Sequence, residues 1–374
     1  MEDSHRVRRR RRRPSPLVAG AALSLALVAV LSGCARAVLR VALLTKLESG
    51  SLVGASEANA ATLFLEERAS AGKAGDIEVV PYDDAWLPDK ALLAYERARA
   101  DGIDFFITSH TSTCAIGLEP AMRRDGVFAM VTGSATTALS GKDDLILRNV
   151  PDLTFEQERI ADYVSGLPGT SVLVLRDLDN GAYTEPAFWA FSRGLVGKDL
   201  RLHDVRMSAL DLGQVREAML EKPFDVLYVL VGAYQASAGT FAQLAASINP
   251  EARIVFTPWL KTPALAASAG RALERSTLPS HYPAKGQDER VDGYIERFEA
   301  RFGYVPTFIS LNVYAGLETL AAAWDSGART PLEFKRWILE RGEVPTSFGT
   351  AVFDRYGDSN TPIVMIEDPR REFE

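Results

Sequence analysis

Short, continuous apolar runs recur along the chain, each followed by a longer segment of helical periodicity, and this alternation limits the possible folds more than any single motif does. The candidate strands are 39–44, 77–82, 105–108, 127–131, 171–175, 202–206, 226–231 and 253–257. The helical patterns between them are 56–69, 88–100, 114–124, 154–165, 184–195, 212–221 and 236–246. Strands apolar on both sides and separated by helices imply parallel sheets covered on both faces, an α/β, doubly wound architecture seen twice. After about residue 283 the pattern changes to three helical segments in succession, 287–302, 310–326 and 331–341, closed by short strand candidates at 350–353 and 363–366. An all-helical block cannot bury its apolar faces alone, so it is expected to pack back onto the first lobe. Turn-rich stretches near 150–152, 278–283 and 344–347 are the candidate crossovers. They divide the chain into lobe 1 (38–152 with 284–346) and lobe 2 (153–283 with 347–374).

Residues 1–33 read as an export signal. Arg6 and the run from Arg8 to Arg13 precede an apolar stretch, 17–31, whose length suits a signal peptide. A membrane span needs about 20 apolar residues. The stretch ends Leu31-Ser32-Gly33-Cys34, which resembles the lipobox of bacterial lipoproteins, where the cysteine is acylated and becomes the mature N-terminus. The alternative is an uncleaved anchor helix with an incidental cysteine.

The whole chain has 42 basic and 49 acidic side chains. Removing residues 1–33 takes away seven arginines and two acids, leaving 35 basic against 47 acidic, a net charge of −12 over 341 residues. So acidic a body is a poor partner for nucleic acid. With Cys34 committed to the anchor, Cys114 has no intramolecular partner, so no disulfide is expected, and one cysteine with three histidines leaves little for a soft metal site. No phosphate loop, dinucleotide fingerprint, nucleophile elbow or His-Glu-x-x-His helix occurs. A Cys114/His110 nucleophilic pair can be drawn, but it lacks a third member. The chain therefore reads as no enzyme, with no cofactor implied.

Six segments in order resemble the branched-chain amino-acid-binding proteins, the type I periplasmic binding proteins of ABC importers. They are Val80-Pro81-Tyr82-Asp83-Asp84 with the helix through Tyr95-Glu96-Arg97; Val131-Thr132-Gly133-Ser134-Ala135-Thr136-Thr137; Leu147-Arg148-Asn149-Val150-Pro151-Asp152; Asp179-Asn180-Gly181-Ala182-Tyr183; Val231-Gly232-Ala233-Tyr234; and Phe353-Asp354-Arg355-Tyr356-Gly357-Asp358. The resemblance implies two lobes joined by three crossovers, a solute in the cleft between them, and binding by lobe closure. It assigns the solute's carboxylate to Ser112 or Thr113 and to Ser134 and Thr136, in loops where hydroxyls and free N–H groups at a helix start suit an anion. It places the rings of Tyr183 and Tyr234 against the solute.

Two departures bear on the ligand. Where amino-acid binders of this family carry an acid for the ligand ammonium, this chain has Trp259, and an indole is a poor partner for a cation. Asp179 or Glu48 are the alternative acids. In the first loop Lys46 adds a positive charge where the family usually has an uncharged turn. The expected function is an extracytoplasmic solute-binding lipoprotein, held to the membrane through Cys34. It would capture a small carboxylate-bearing, amino-acid-like or aromatic solute for an ABC permease. The alternative is a ligand-sensing lipoprotein that signals to a membrane partner without transport.

Overall fold

In the computed structural model, which describes residues 37–47, 51–359 and 361–373, two sheets lie within the unit formed by residues 39–374. The signal segment, Cys34 and Glu48 lie outside the described residues. The first sheet is built from β1 (Leu39–Thr45), β2 (Ile77–Asp83), β3 (Phe105–Thr108), β4 (Phe128–Val131) and β5 (Ile146–Arg148) in the order β2-β1-β3-β4-β5, all parallel. The second takes β6 (Ser171–Asp177), β7 (Asp199–Val205), β8 (Val226–Leu230), β9 (Arg253–Val255), β10 (Ser276–Ser280) and β13 (Val364–Glu367) in the order β13-β10-β9-β8-β6-β7. It is parallel except for β13, which runs antiparallel to β10.

The central strands are apolar because both faces are covered. β3, β4 and β8 are buried at every residue. On the first sheet lie α1 (Leu52–Arg68), α2 (Pro88–Ala100) and α3 (Ser112–Asp125); on the second lie α4 (Leu153–Gly166), α5 (Gly181–Gly194), α6 (Leu212–Glu221), α7 (Gln235–Ile248) and α8 (Pro263–Ala269). The late helices α9 (Glu289–Phe302), α10 (Phe308–Asp325) and α11 (Pro331–Arg341) share a core with β1, β3 and β4, as their apolar faces require. α10 is buried nearly all round, so it has no solvent stripe and works as a central packing element.

The third crossover and part of the lobe division differ from expectation. The stretch 344–347 is no crossover: β11 (Glu343–Thr346) pairs antiparallel with β12 (Gly349–Val352). Phe348 and Phe353 lie in the core of the first sheet, so 347–358 joins that sheet by its contacts, and the chain passes to the second sheet only between Asp358 and β13. Arg148 is the physical reason. Buried at the end of β5, it holds Asp358 through Nε (3.1 Å) and a second guanidinium nitrogen (2.6 Å), and also donates to the Thr136 carbonyl (2.8 Å) and Ser140 Oγ (2.6 Å). β10 was not expected from the sequence, and its last three residues fall in the turn-rich stretch 278–283 that was read as a crossover. It is fully buried, and it pairs with β9 only before Pro279.

Removing one partner of a buried ion pair leaves the other charge and the carbonyl uncompensated. Arg148→Ala is therefore expected to cost about 3 kcal/mol, read as a lower urea midpoint at unchanged slope.

Candidate functional site

The loops that leave the carboxyl ends of β3, β4, β6, β8 and β9 face one another across the two sheets, where open parallel sheets leave a crevice. They line a cleft of about 340 Å³, its open mouth included, together with Trp86 and Ile309. The first sheet contributes Ser109, His110, Thr111, Ser112, Gly133 and Ala135. The second contributes Asn180, Tyr183, Gly232 and Trp259. No lysine, arginine, aspartate or glutamate is among the lining residues.

On the first-sheet side Thr111 caps α3, its hydroxyl accepting from the Cys114 N–H at 3.4 Å. Ser112 and Thr113 therefore open the helix, where N–H groups lack intrahelical partners. Ser134 donates to Ser112 Oγ at 3.0 Å, which leaves the Ser112 hydroxyl proton for another acceptor. Gly133 permits this arrangement, since a Cβ there would stand 3.0 Å from the His110 nitrogen and the Ser109 carbonyl carbon. Trp86 enters by a turn in which Ala85 and Trp86 both take positive φ, with Asp83 and Asp84 accepting from their N–H groups. Its indole donates to the Ser109 carbonyl at 3.0 Å.

On the second-sheet side the polar ends of the rings turn away from the cleft. Tyr183 OH and Trp259 Nε1 (3.1 Å) both donate to the Glu156 carboxylate, which is fully buried in the first turn of α4. Gln157 Nε2 donates to the same carboxylate at 2.9 Å, and Tyr228 OH donates to Gln157 Oε1 at 2.7 Å. Burial and the neighbouring Glu156 charge hold both tyrosine hydroxyls well above their usual range, so they stay donors. Tyr183 and Trp259 meet edge to face at 6.3 Å.

The cleft thus gathers Ser112, Tyr183 and Trp259 of the sequence candidates. Thr113 bridges the lobes instead, its N–H (3.4 Å) and hydroxyl (3.3 Å) reaching Asn180 Oδ1. Ser134 supports Ser112 from behind. The Thr136 hydroxyl accepts from the Ala138 N–H and does not line the cleft. Tyr234 is 42% exposed at the start of α7, in the left-handed region, and is also absent from the lining. Lys46 lies over the Trp86 ring, 5.9 Å from its centroid, rather than in the cleft. Asp179 is occupied by Arg206 and the Ser208 N–H.

Sequence reasoning missed Trp86, Asn180 and Glu156. Asn180 stood in a quoted family segment; Glu156 looked like an ordinary acid at a helix start. The Cys114/His110 pair does not form. Burial pushes the Cys114 thiol up to about 12, its sulfur accepts from Thr111 Oγ1, and His110 is held by buried Asp84 at 3.1 Å. Among the described residues no cluster of three metal-ligating side chains occurs, and no helix is long and apolar enough to cross a membrane.

Residues 39–363 match the sequence pattern of a family described as periplasmic binding protein. A Leu/Ile/Val-binding protein homolog 2 of Brucella abortus (strain 2308) is 24% identical over 317 residues, covering 81% of this chain and 82% of the relative. The crystal structure of a leucine-binding protein from Thermotoga maritima MSB8 superposes with a TM-score of 0.79 at 17% identity, covering 88% of this chain and 95% of that one. A solute-binding protein of an ABC transporter from Rhodopseudomonas palustris BisB5, solved with 3,4-dihydroxybenzoic acid, gives 0.77 at 19% identity over 88% and 93%. These likenesses carry the fold.

Beneath the first-sheet loops, Glu57 is fully buried and accepts from the Thr45 hydroxyl and from Ser109 Oγ (2.8 Å). Burial raises its pKa to about 8, with a smaller upward contribution from the Asp84 charge. The folded state therefore holds a proton that the unfolded state releases near the ordinary glutamate value of 4.5, so the associated stability is present below that value and is lost as pH rises through about 8. Stability is expected to fall between these limits by up to about 1.4 kcal/mol per pH unit. Glu57→Gln should flatten that slope in urea titrations run from pH 5 to 9.

Proposed function

The chain belongs to the periplasmic binding protein family, whose members bind solutes and are not enzymes, and we propose that it captures a small carboxylate that lacks an α-ammonium group. The observation that carries this reading is the position of Glu156. Glu156, the buried acid behind the second-sheet wall, accepts from Tyr183, Trp259 and Gln157, so that wall offers ring surface and no anion to a cation. Opposite it, the Ser112 hydroxyl and the first turn of α3 offer neutral donors suited to a carboxylate. The rings of Trp86, Tyr183 and Trp259 would offer apolar surface to a flat or branched body. The Rhodopseudomonas palustris relative, solved with a dihydroxybenzoic acid, supports the aromatic end of this class; the leucine-binding relative marks the amino-acid end.

The chain works, in this reading, as an exported lipoprotein anchored through Cys34 outside the cytoplasm, handing its closed form to an ABC permease. Lobe 1 holds the carboxylate and supplies Trp86, lobe 2 supplies Tyr183 and Trp259, and closure about the three crossovers traps the solute.

A thermal-shift screen of the purified protein against benzoates, aliphatic acids, dicarboxylates and amino acids tests capture. A bound solute at 100 times its dissociation constant adds about 2.7 kcal/mol, which is a readily measured shift. No shift with any acid would contradict the proposal. For an acid that binds, Ser112→Ala should weaken affinity by roughly 10- to 100-fold in calorimetry, the size of a lost hydrogen bond to a charged group.

A further inference from the structure

Behind the donor side of the cleft lies a cluster of buried ionisable groups that solute capture, as described above, does not use. Glu57 on α1 and Asp84 after β2 are fully buried, and His110 after β3 is 2% exposed. Ser109 and His110 both line the cleft, and each touches one of the acids. Ser109 Oγ donates to Glu57 at 2.8 Å, and His110 Nδ1 stands 3.1 Å from Asp84 Oδ2. Trp86 ties the two halves together, its N–H donating to Asp84 and its indole to the Ser109 carbonyl, each at 3.0 Å. One residue of cleft wall therefore separates Glu57 from the solute.

Taking the cleft as a carboxylate site, as above, we propose that capture is coupled to a proton on Glu57, a positioning residue that acts through Ser109. Three carboxyl groups meet here once a solute is bound: its own, Glu57 and Asp84. The groups that act on Glu57 are the Thr45 hydroxyl from β1, Asp84 from the β2 loop and Ser109 from the β3 loop, with His110 set against Asp84. Lys46, next to Thr45, lies over the Trp86 ring instead. On α1 itself, Ser56 accepts from the Thr307 N–H and Asn59 donates to Tyr304 OH, which brings no charge to Glu57. The ionic groups of α9 and α10 pair farther along α1, Arg301 with Glu66, Arg297 with Glu67 and Asp325 with Arg68, roughly two and a half turns away or more. Among the described residues no cation pairs with Glu57.

A carboxylate buried without a countercharge favours its neutral form, and a like charge nearby favours it further. Burial already raises Glu57 to about 8, with Asp84 adding to the shift. A solute carboxylate across Ser109 acts in the same direction. Where Glu57 is ionised, capture of the solute anion therefore draws one proton from solvent onto its carboxyl group. That proton has a place to go, because the Thr45 and Ser109 hydroxyls can accept as well as donate. By linkage, affinity is level below the pKa of the free protein and falls by up to about tenfold per pH unit as pH rises through it. Neighbouring groups leave this window clear: Asp177, at the end of β6, is raised by burial to about 6, and the Cys114 thiol is pushed up to about 12.

Calorimetric titration of the purified protein with benzoate and with 3-phenylpropionate tests the coupling. Affinity is expected to be roughly tenfold weaker at about pH 9.5 than at about pH 6.5. Near the midpoint the binding heat should depend on the buffer's ionisation enthalpy, in the sense of proton uptake. Glu57→Gln, a neutral isostere, should keep the low-pH affinity across the range and abolish the uptake. Thr45→Val removes a hydroxyl that favours the ionised form, so it should move the fall in affinity to higher pH, and it serves if the glutamine variant does not fold. Equal affinity at both pH values without proton uptake overturns the coupling and leaves the carboxylate reading standing. A pH dependence that persists in Glu57→Gln, or that Thr45→Val leaves unmoved, also overturns it. Failure of both acids to bind at any pH overturns the coupling together with the reading on which it rests.

Discussion

Glu156 is a carboxylate taken wholly out of water, and much of the cleft is arranged around that fact. A buried charge survives only with donors on it, and here they come from Tyr183 on α5, Trp259 after β9 and Gln157 beside it on α4. Tyr183 and Trp259 are drawn back from the cleft by the same carboxylate, so what faces the cleft is the side of each ring rather than its polar tip. The second lobe's wall is apolar because its polarity is spent behind the wall.

The first lobe is built on the opposite principle. Its loops keep backbone and hydroxyl donors at the start of α3, with Ser134 aligning Ser112 and glycine at 133 letting the two loops approach. Beneath them sits a second buried acid, Glu57, which takes hydroxyl hydrogen bonds and is protonated over much of the neutral range. The two sides of the cleft thus differ, donors with the Trp86 ring on the first-sheet side and the faces of Tyr183 and Trp259 on the second, and Thr113 with Asn180 joins them.

The doubly wound sheets were legible in the sequence because continuous apolar strands have few other homes. The late helices were placed on the first sheet for an equally simple reason: their apolar faces had nothing else to cover. β10 escaped because Ser-Thr-Leu-Pro-Ser reads as a turn until neighbouring strands bury it. The third crossover was misplaced because the pull of Arg148 on Asp358, across about two hundred residues, leaves no local signal. At the site, Tyr183 was reachable from an ordered family segment, and Ser112 and Trp259 from their places after the strands now seen as β3 and β9, whereas the role of Glu156 depends on which rings close over it. An acid in the first turn of a helix is ordinarily a solvated dipole partner, and only the tertiary structure distinguishes this one.

The central claim is that the cleft accepts a carboxylate and has no anion to spare for an ammonium group. Calorimetric titration with matched pairs, 3-phenylpropionate against phenylalanine and 4-methylpentanoate against leucine, tests it most directly, since each pair differs only at the α-carbon. The account predicts that the acid of at least one pair binds roughly tenfold or more tighter than its amino counterpart, the size of one desolvated, unpaired ammonium. Tighter binding of leucine or phenylalanine than of the matching acid would contradict it, and would mean that an acid in this cleft is free to take the ligand's charge.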